Sequence, residues 1–181
     1  MRNYFVILVV CFAFSVAQAS DLRVSSAEPL LVRAVAGWHS AKDSGMPGMP
    51  FETYRLSPPE GRNASVLISV LGKDDAEFSK PETLKNLVRL DSRPYVSSPD
   101  ELAKIAPKGL KIAGGQGFYA DFTDPDLVGK PVAIGNYKIS TLVFLSLGTK
   151  YLIKCTVLSD AIEGPDYRDA IKILESIKIQ N

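Results

Sequence analysis

The single histidine, His39, is the one side chain here whose ordinary pKa suits proton transfer near neutrality. Triad hydrolysis needs such a base beside a nucleophile, with an acid to orient it. Ser40 and Asp43 lie too close in sequence to build that geometry without a special loop, and no serine stands in a nucleophile elbow. Gly114-Gly115-Gln116-Gly117 offers backbone amides to an anion. It lacks the Lys-Ser/Thr ending of a nucleotide loop, the dinucleotide spacing and a following helix, so it reads as a strand bent at glycine. Asp121, Asp124 and Asp126 place three carboxylates close together, as a calcium loop does. The loop has no sixth-position glycine and no twelfth-position glutamate, and Pro125 stiffens its centre, so it reads first as a turn and only second as a cation site. Cys155 lies in a strand-like run, Tyr151 to Leu158, where burial disfavours the thiolate. No catalytic residue, cofactor or metal site is expected from these groups. The remaining functional candidates are Trp38, His39, Met46, Met49 and Phe51, a partner-binding edge around one loop, unless their side chains close an end of the core.

The address is written more plainly than the chemistry. Arg2 precedes an almost unbroken apolar run from Phe5 to Val16, and Ala17-Gln18-Ala19 supplies the small residues of a signal-peptidase site. The run is too short for a membrane span, and Val10 before Cys11 does not suit a lipoprotein signal. Cleavage near Ala19 predicts a periplasmic or secreted chain, with residues 20–181 forming one domain. Arg2 is the only charged residue before Ser20, which leaves 20 basic against 20 acidic side chains. A neutral chain without basic runs gives no electrostatic reason to expect nucleic acid, and no second segment could span a membrane. Only Cys155 survives cleavage, so the domain must stand without an internal disulfide.

The elements that would position these groups follow from hydrophobic periodicity. Leu30 to Val35 reads as a strand, Ser40 to Pro50 as a Gly/Pro-rich loop, and Phe51 to Leu56 with Ala64 to Leu71 as an antiparallel pair around Ser57-Pro58-Pro59-Glu60-Gly61. Asn63-Ala64-Ser65 matches a glycosylation acceptor, relevant only to a eukaryotic secretory route. Capping boxes at Ser79/Glu82 and Ser98/Glu101 predict two amphipathic helices. Lys111 to Phe122 is extended but broken by glycine. Tyr137 to Leu147 and Lys150 to Leu158 flank Gly148-Thr149, which predicts a type II′ hairpin with Leu147 opposite Lys150. That register groups Leu142 and Phe144 with Ile153, Cys155 and Val157 on one face. Both hairpin faces are apolar, so both need cover. Tyr167, Ala170, Ile171, Leu174 and Ile177 give a last helix after Gly164-Pro165. The expected class is α+β, an antiparallel β-sheet flanked by helices on both faces, an α/β/α sandwich.

This order of elements resembles the PsbP-like and Mog1-like group and its exported bacterial relatives. The similarity rests on Trp38, the strand pair, Ser79-Lys80-Pro81-Glu82-Thr83-Leu84, the hairpin and Ala170-Ile171-Lys172-Ile173-Leu174-Glu175-Ser176-Ile177. The resemblance implies the α/β/α fold and a non-enzymatic accessory role, binding another extracytoplasmic protein or envelope assembly. It transfers no catalytic residue. A small-molecule or lipid carrier, with a pocket between helix and sheet, is the alternative. An enclosed apolar cavity would favour the carrier, whereas a filled core with an exposed patch would favour the accessory protein.

Overall fold

A computed structural model describes residues 21–24, 30–43, 52–72 and 74–180. The leader, Met46, Met49 and Phe51 lie outside the described residues. In chain order the strands and helices are β1 (Asp21–Val24), β2 (Leu30–Arg33), β3 (His39–Asp43), β4 (Thr53–Ser57), β5 (Ala64–Gly72), α1 (Pro81–Asp91), α2 (Pro99–Lys104), β6 (Lys108–Leu110), β7 (Gln116–Thr123), β8 (Ile139–Leu147), β9 (Tyr151–Ser159), α3 (Pro165–Glu175) and β10 (Lys178–Ile179). They form a seven-stranded sheet ordered β3-β4-β5-β9-β8-β7-β6 and a three-stranded sheet ordered β1-β2-β10. Every strand pairing is antiparallel.

Alternation along β5, β8 and β9 sends Ile68, Val143, Leu145, Ile153 and Cys155 to one face of the large sheet. There they meet Ala170, Ile173 and Leu174 of α3 and Val24, Leu30 and Val32 of the small sheet, in the larger of two cores. The opposite face carries Ala120, Phe144 and Leu152, which pack with Leu84 and Val88 of α1. The core under α1 extends to Leu71 at the end of β5. Farther toward β3 and β4 that face carries polar pairs, with Thr53 and Ser69 sharing a 2.7 Å hydroxyl bond and Arg55 donating to Ser65 at 3.2 Å.

The α/β/α sandwich is therefore corrected. The described residues are mostly β, forming two antiparallel sheets, with three short α-helices of 11, 6 and 11 residues among them. Short polar strands are the reason: His39-Ser40-Ala41-Lys42-Asp43 has no apolar alternation and falls in what reads as a loop, yet pairs along its whole length with β4. β1, β6 and β10 are similarly too short to announce themselves. Small-sheet residues supply cover that periodicity alone assigns to helices.

The hairpin register is also corrected. Leu147 pairs with Tyr151, not Lys150, and Gly148-Thr149-Lys150 make a three-residue connection with Gly148 at φ +59°. One residue of slip exchanges the partners: Val143 and Leu145, instead of Leu142 and Phe144, share a face with Ile153 and Cys155. At α1 the expected Ser79/Glu82 box does not form. Lys80 occupies the N-cap without a side-chain bond, Ser79 donates to the Ala76 carbonyl, and Glu82 accepts from Lys85. At α2 the Ser98 hydroxyl does accept from the Glu101 amide at 3.2 Å, while Glu101 accepts from the amide of Ser97.

Candidate functional site

The end of the large sheet where β4 turns into β5 is assembled by two consecutive residues. Arg62 reaches across the first turn of α3 and pairs with Asp166 and, at 3.0 Å, with Asp169. Those two carboxylates raise its pKa although burial opposes the charge. Its guanidinium also lies 6.0 Å from the centroid of the Trp38 ring. Asn63 then joins two separate loops. Its amide nitrogen donates to the Asn136 carbonyl at 2.7 Å and to the Asp160 carboxylate at 2.9 Å, while its side-chain oxygen accepts from the Gly135 amide at 3.0 Å. Three of the four hydrogen bonds its amide can make are spent on holding chain outside helices and strands.

On the loops so held stand apolar side chains in water. Ile134, next to Gly135, is 79% exposed, and Ile162 is 44% exposed. Val128, on the same long connection as Ile134, is exposed as well. Gly135 has φ +92°, a conformation open to glycine, and Glu163 beside Ile162 takes φ +63° although it has a side chain. Arg168 donates to the Glu163 carbonyl at 2.5 Å, and Gly164 donates to Ala161 at 3.4 Å. Both isoleucines thus sit beside turns in the left-handed region that hydrogen bonds hold in place.

The residues singled out in the sequence are distributed differently. Trp38 is 4% exposed and belongs to the larger core, so its indole is not on offer to a partner; its Nε1 has no hydrogen-bond partner among the described residues. His39 is exposed on β3, where it pairs with Ser57 of β4. Met46, Met49 and Phe51 lie outside the described residues.

Asp121 is the most engaged carboxylate. Its side chain is 6% exposed and accepts from Thr141 at 2.7 Å and Tyr167 at 2.8 Å, with Lys108 at 3.0 Å. Burial first, and the bond to Asp121 second, push the Tyr167 phenol well above its ordinary pKa, so it is protonated at neutral pH. Asp124 caps the turn Pro125–Leu127 by accepting from the Asp126 amide at 2.9 Å. The carboxylates of Asp121 and Asp124 therefore do separate work, and among the described residues no three His, Cys, Asp or Glu side chains converge as metal ligands.

Gly114 turns the chain at φ +74°, and Gly115 lies so close to β8 that a Cβ there would sit 2.0 Å from the Ser146 carbonyl oxygen. Gln116 spends its amide on the Ser79 carbonyl. The open groove beside these glycines, about 330 Å³, is lined by Ser79, Gly114, Gly115, Gln116, Ser146 and Gly148, without a cation. Cys155 is fully buried, and burial pushes its thiol far above the usual range. Sequence reasoning missed Asn63, because an amide clamp on irregular chain has no periodic signature; its tripeptide context pointed only to glycosylation. No protein-family model and no curated protein sequence matches this chain.

Proposed function

We propose that this is an exported, non-enzymatic protein that binds another extracytoplasmic protein through the rim carrying Ile134 and Ile162. The observation that carries the reading is the Asn63 clamp: three hydrogen bonds fix loops that hold large aliphatic side chains exposed to water. Loops with a rigid scaffold are where binding residues concentrate, and exposed aliphatic groups on fixed backbone associate without a large ordering cost. The near-neutral charge also suits a protein partner better than nucleic acid. The resemblance to PsbP-like and Mog1-like proteins pointed the same way, but it implied an architecture other than the one described above, so it lends no weight here.

The carrier alternative requires an enclosed apolar cavity between helix and sheet. Two grooves among the described residues, about 320 Å³ beside α2 and about 330 Å³ beside Gly115, both open at the surface. A photo-crosslinking residue at position 134 or 162 tests the reading in cells of the source organism. A single protein species is expected at both positions and not at position 90, where Leu90 is 50% exposed on α1. Ile134→Asp should abolish the capture without changing the thermal midpoint. Equal yields at positions 134, 162 and 90 would overturn the proposal. Export is tested separately by sequencing the amino terminus of the recovered protein, which should begin at Ser20.

A further inference from the structure

We infer that β3 is a self-pairing edge through which two copies of this chain form a twofold dimer. β3 ends the seven-stranded sheet, and among the described residues nothing pairs with its outer side. Four of its five residues are exposed. Such an edge presents unpaired backbone donors and acceptors, and isologous association requires the strand to complement itself.

Register decides whether it does. Two antiparallel copies related by an axis normal to the sheet place side chains of the same face opposite each other, so the paired residue numbers must differ by an even count. Centring the axis on Lys42 would set two ammonium groups against each other. With the axis on Ser40, Lys42 and Asp43 find no opposing strand residue. An axis through Ala41 engages all five residues: Ala41 faces Ala41, Ser40 faces Lys42, and His39 faces Asp43 twice over. Ala41 keeps the closest approach free of bulk. Asp43 already accepts from Arg55 of its own chain at 3.1 Å, and its carboxylate has further lone pairs for an imidazole N–H. Lys42, the residue type that commonly guards an edge, is paired with Glu52 of its own chain at 2.5 Å, which offsets part of its charge at the edge.

β3 shares no residue with the rim of Ile134 and Ile162, and the two proposals are read by different measurements, so they are tested independently. A five-residue edge is smaller than a standard interface, and the expected association is weak and concentration-dependent. In a full chain carrying Cys11→Ser, the only remaining native thiol is the buried Cys155. Ala41→Cys should then yield a disulfide-linked dimer on mild oxidation, at least about tenfold more than Ile134→Cys under the same conditions. By sedimentation velocity, Asp43→Lys should weaken dimerisation about tenfold or more, and His39→Glu combined with Asp43→Lys should restore it to within about threefold. Circular dichroism checks that each variant is folded. A chain that stays monomeric, or a dimer in which Ala41→Cys links no better than Ile134→Cys, overturns the inference.

Discussion

At the scale of single residues, the structure spends its polar groups on holding strands and loops together. Asp121 ties β6, β7, β8 and α3 at one carboxylate, and Tyr167 supplies one of its three donors. Removing that phenol with Tyr167→Phe should cost about 1 kcal/mol of stability. The pH signature is more telling. Tyr167 and Cys155 both have folded pKa values raised, chiefly by burial. Unfolded chains release those protons first, from about pH 8.5 for the thiol and about pH 10 for the phenol. Stability is therefore complete below those values and falls as pH rises. Lys108 acts in the same direction, since its bond to Asp121 raises its pKa, but its exposed ammonium is screened and contributes less. Urea midpoints at pH 7, 9 and 10.5 should decline in the parent chain, and the decline above pH 10 should be shallower in Tyr167→Phe. Parallel curves would refute the assignment. At this scale the sequence was partly legible: Cys155 reads as buried from its β-branched neighbours, whereas Trp38, a partner-binding candidate in the sequence, lies in the core. Asn63 was not, because its three partners are 72, 73 and 97 residues away along the chain.

Elements succeed or fail on how much of their pattern is local. β8 and β9 are long and apolar enough to be found by inspection, and α3 shows its helical stripe directly. Their register was not legible, because a glycine after Leu147 suits either a two-residue or a three-residue connection, and only packing of Val143 and Leu145 against the larger core separates them. The Ser79/Glu82 spacing matched a capping box, but Ser79 closes a 3₁₀ turn, Ala76–Ser79, and is spent before α1 begins. The start of β7 shows a constraint that does not depend on hydrophobicity. Gly115→Ala would drive a methyl group into the Ser146 backbone, which cannot rotate away, and should cost about 2–3 kcal/mol. Gly109→Ala meets open space on neighbouring β6 and should stay within about 0.5 kcal/mol of the parent. Equal midpoints for the two variants in chemical denaturation would contradict the close approach.

For the whole molecule, one sheet serves two cores. β8 gives Val143 and Leu145 to the larger and Phe144 to the smaller, so neither can come apart without exposing the other. Leu84→Ala and Ile173→Ala, on opposite faces, should each cost about 2–5 kcal/mol. Both should still unfold in a single transition, with Trp38 fluorescence and far-ultraviolet dichroism coincident. Separate transitions in Leu84→Ala would mean that α1 and its core melt alone. The antiparallel sheet and the docking of α1 and α3 were legible from amphipathic stripes; the second sheet and the edge strands were not, since their residues carry no period. That second sheet has a mechanical consequence. β1 and β10 lie on either side of β2 and run in the same direction, so the two ends of the domain emerge at opposite ends of one small ribbon. A pull on both termini loads its hydrogen bonds lengthwise and all together, instead of opening them in succession, and the strain reaches the large sheet only after that ribbon has slid apart.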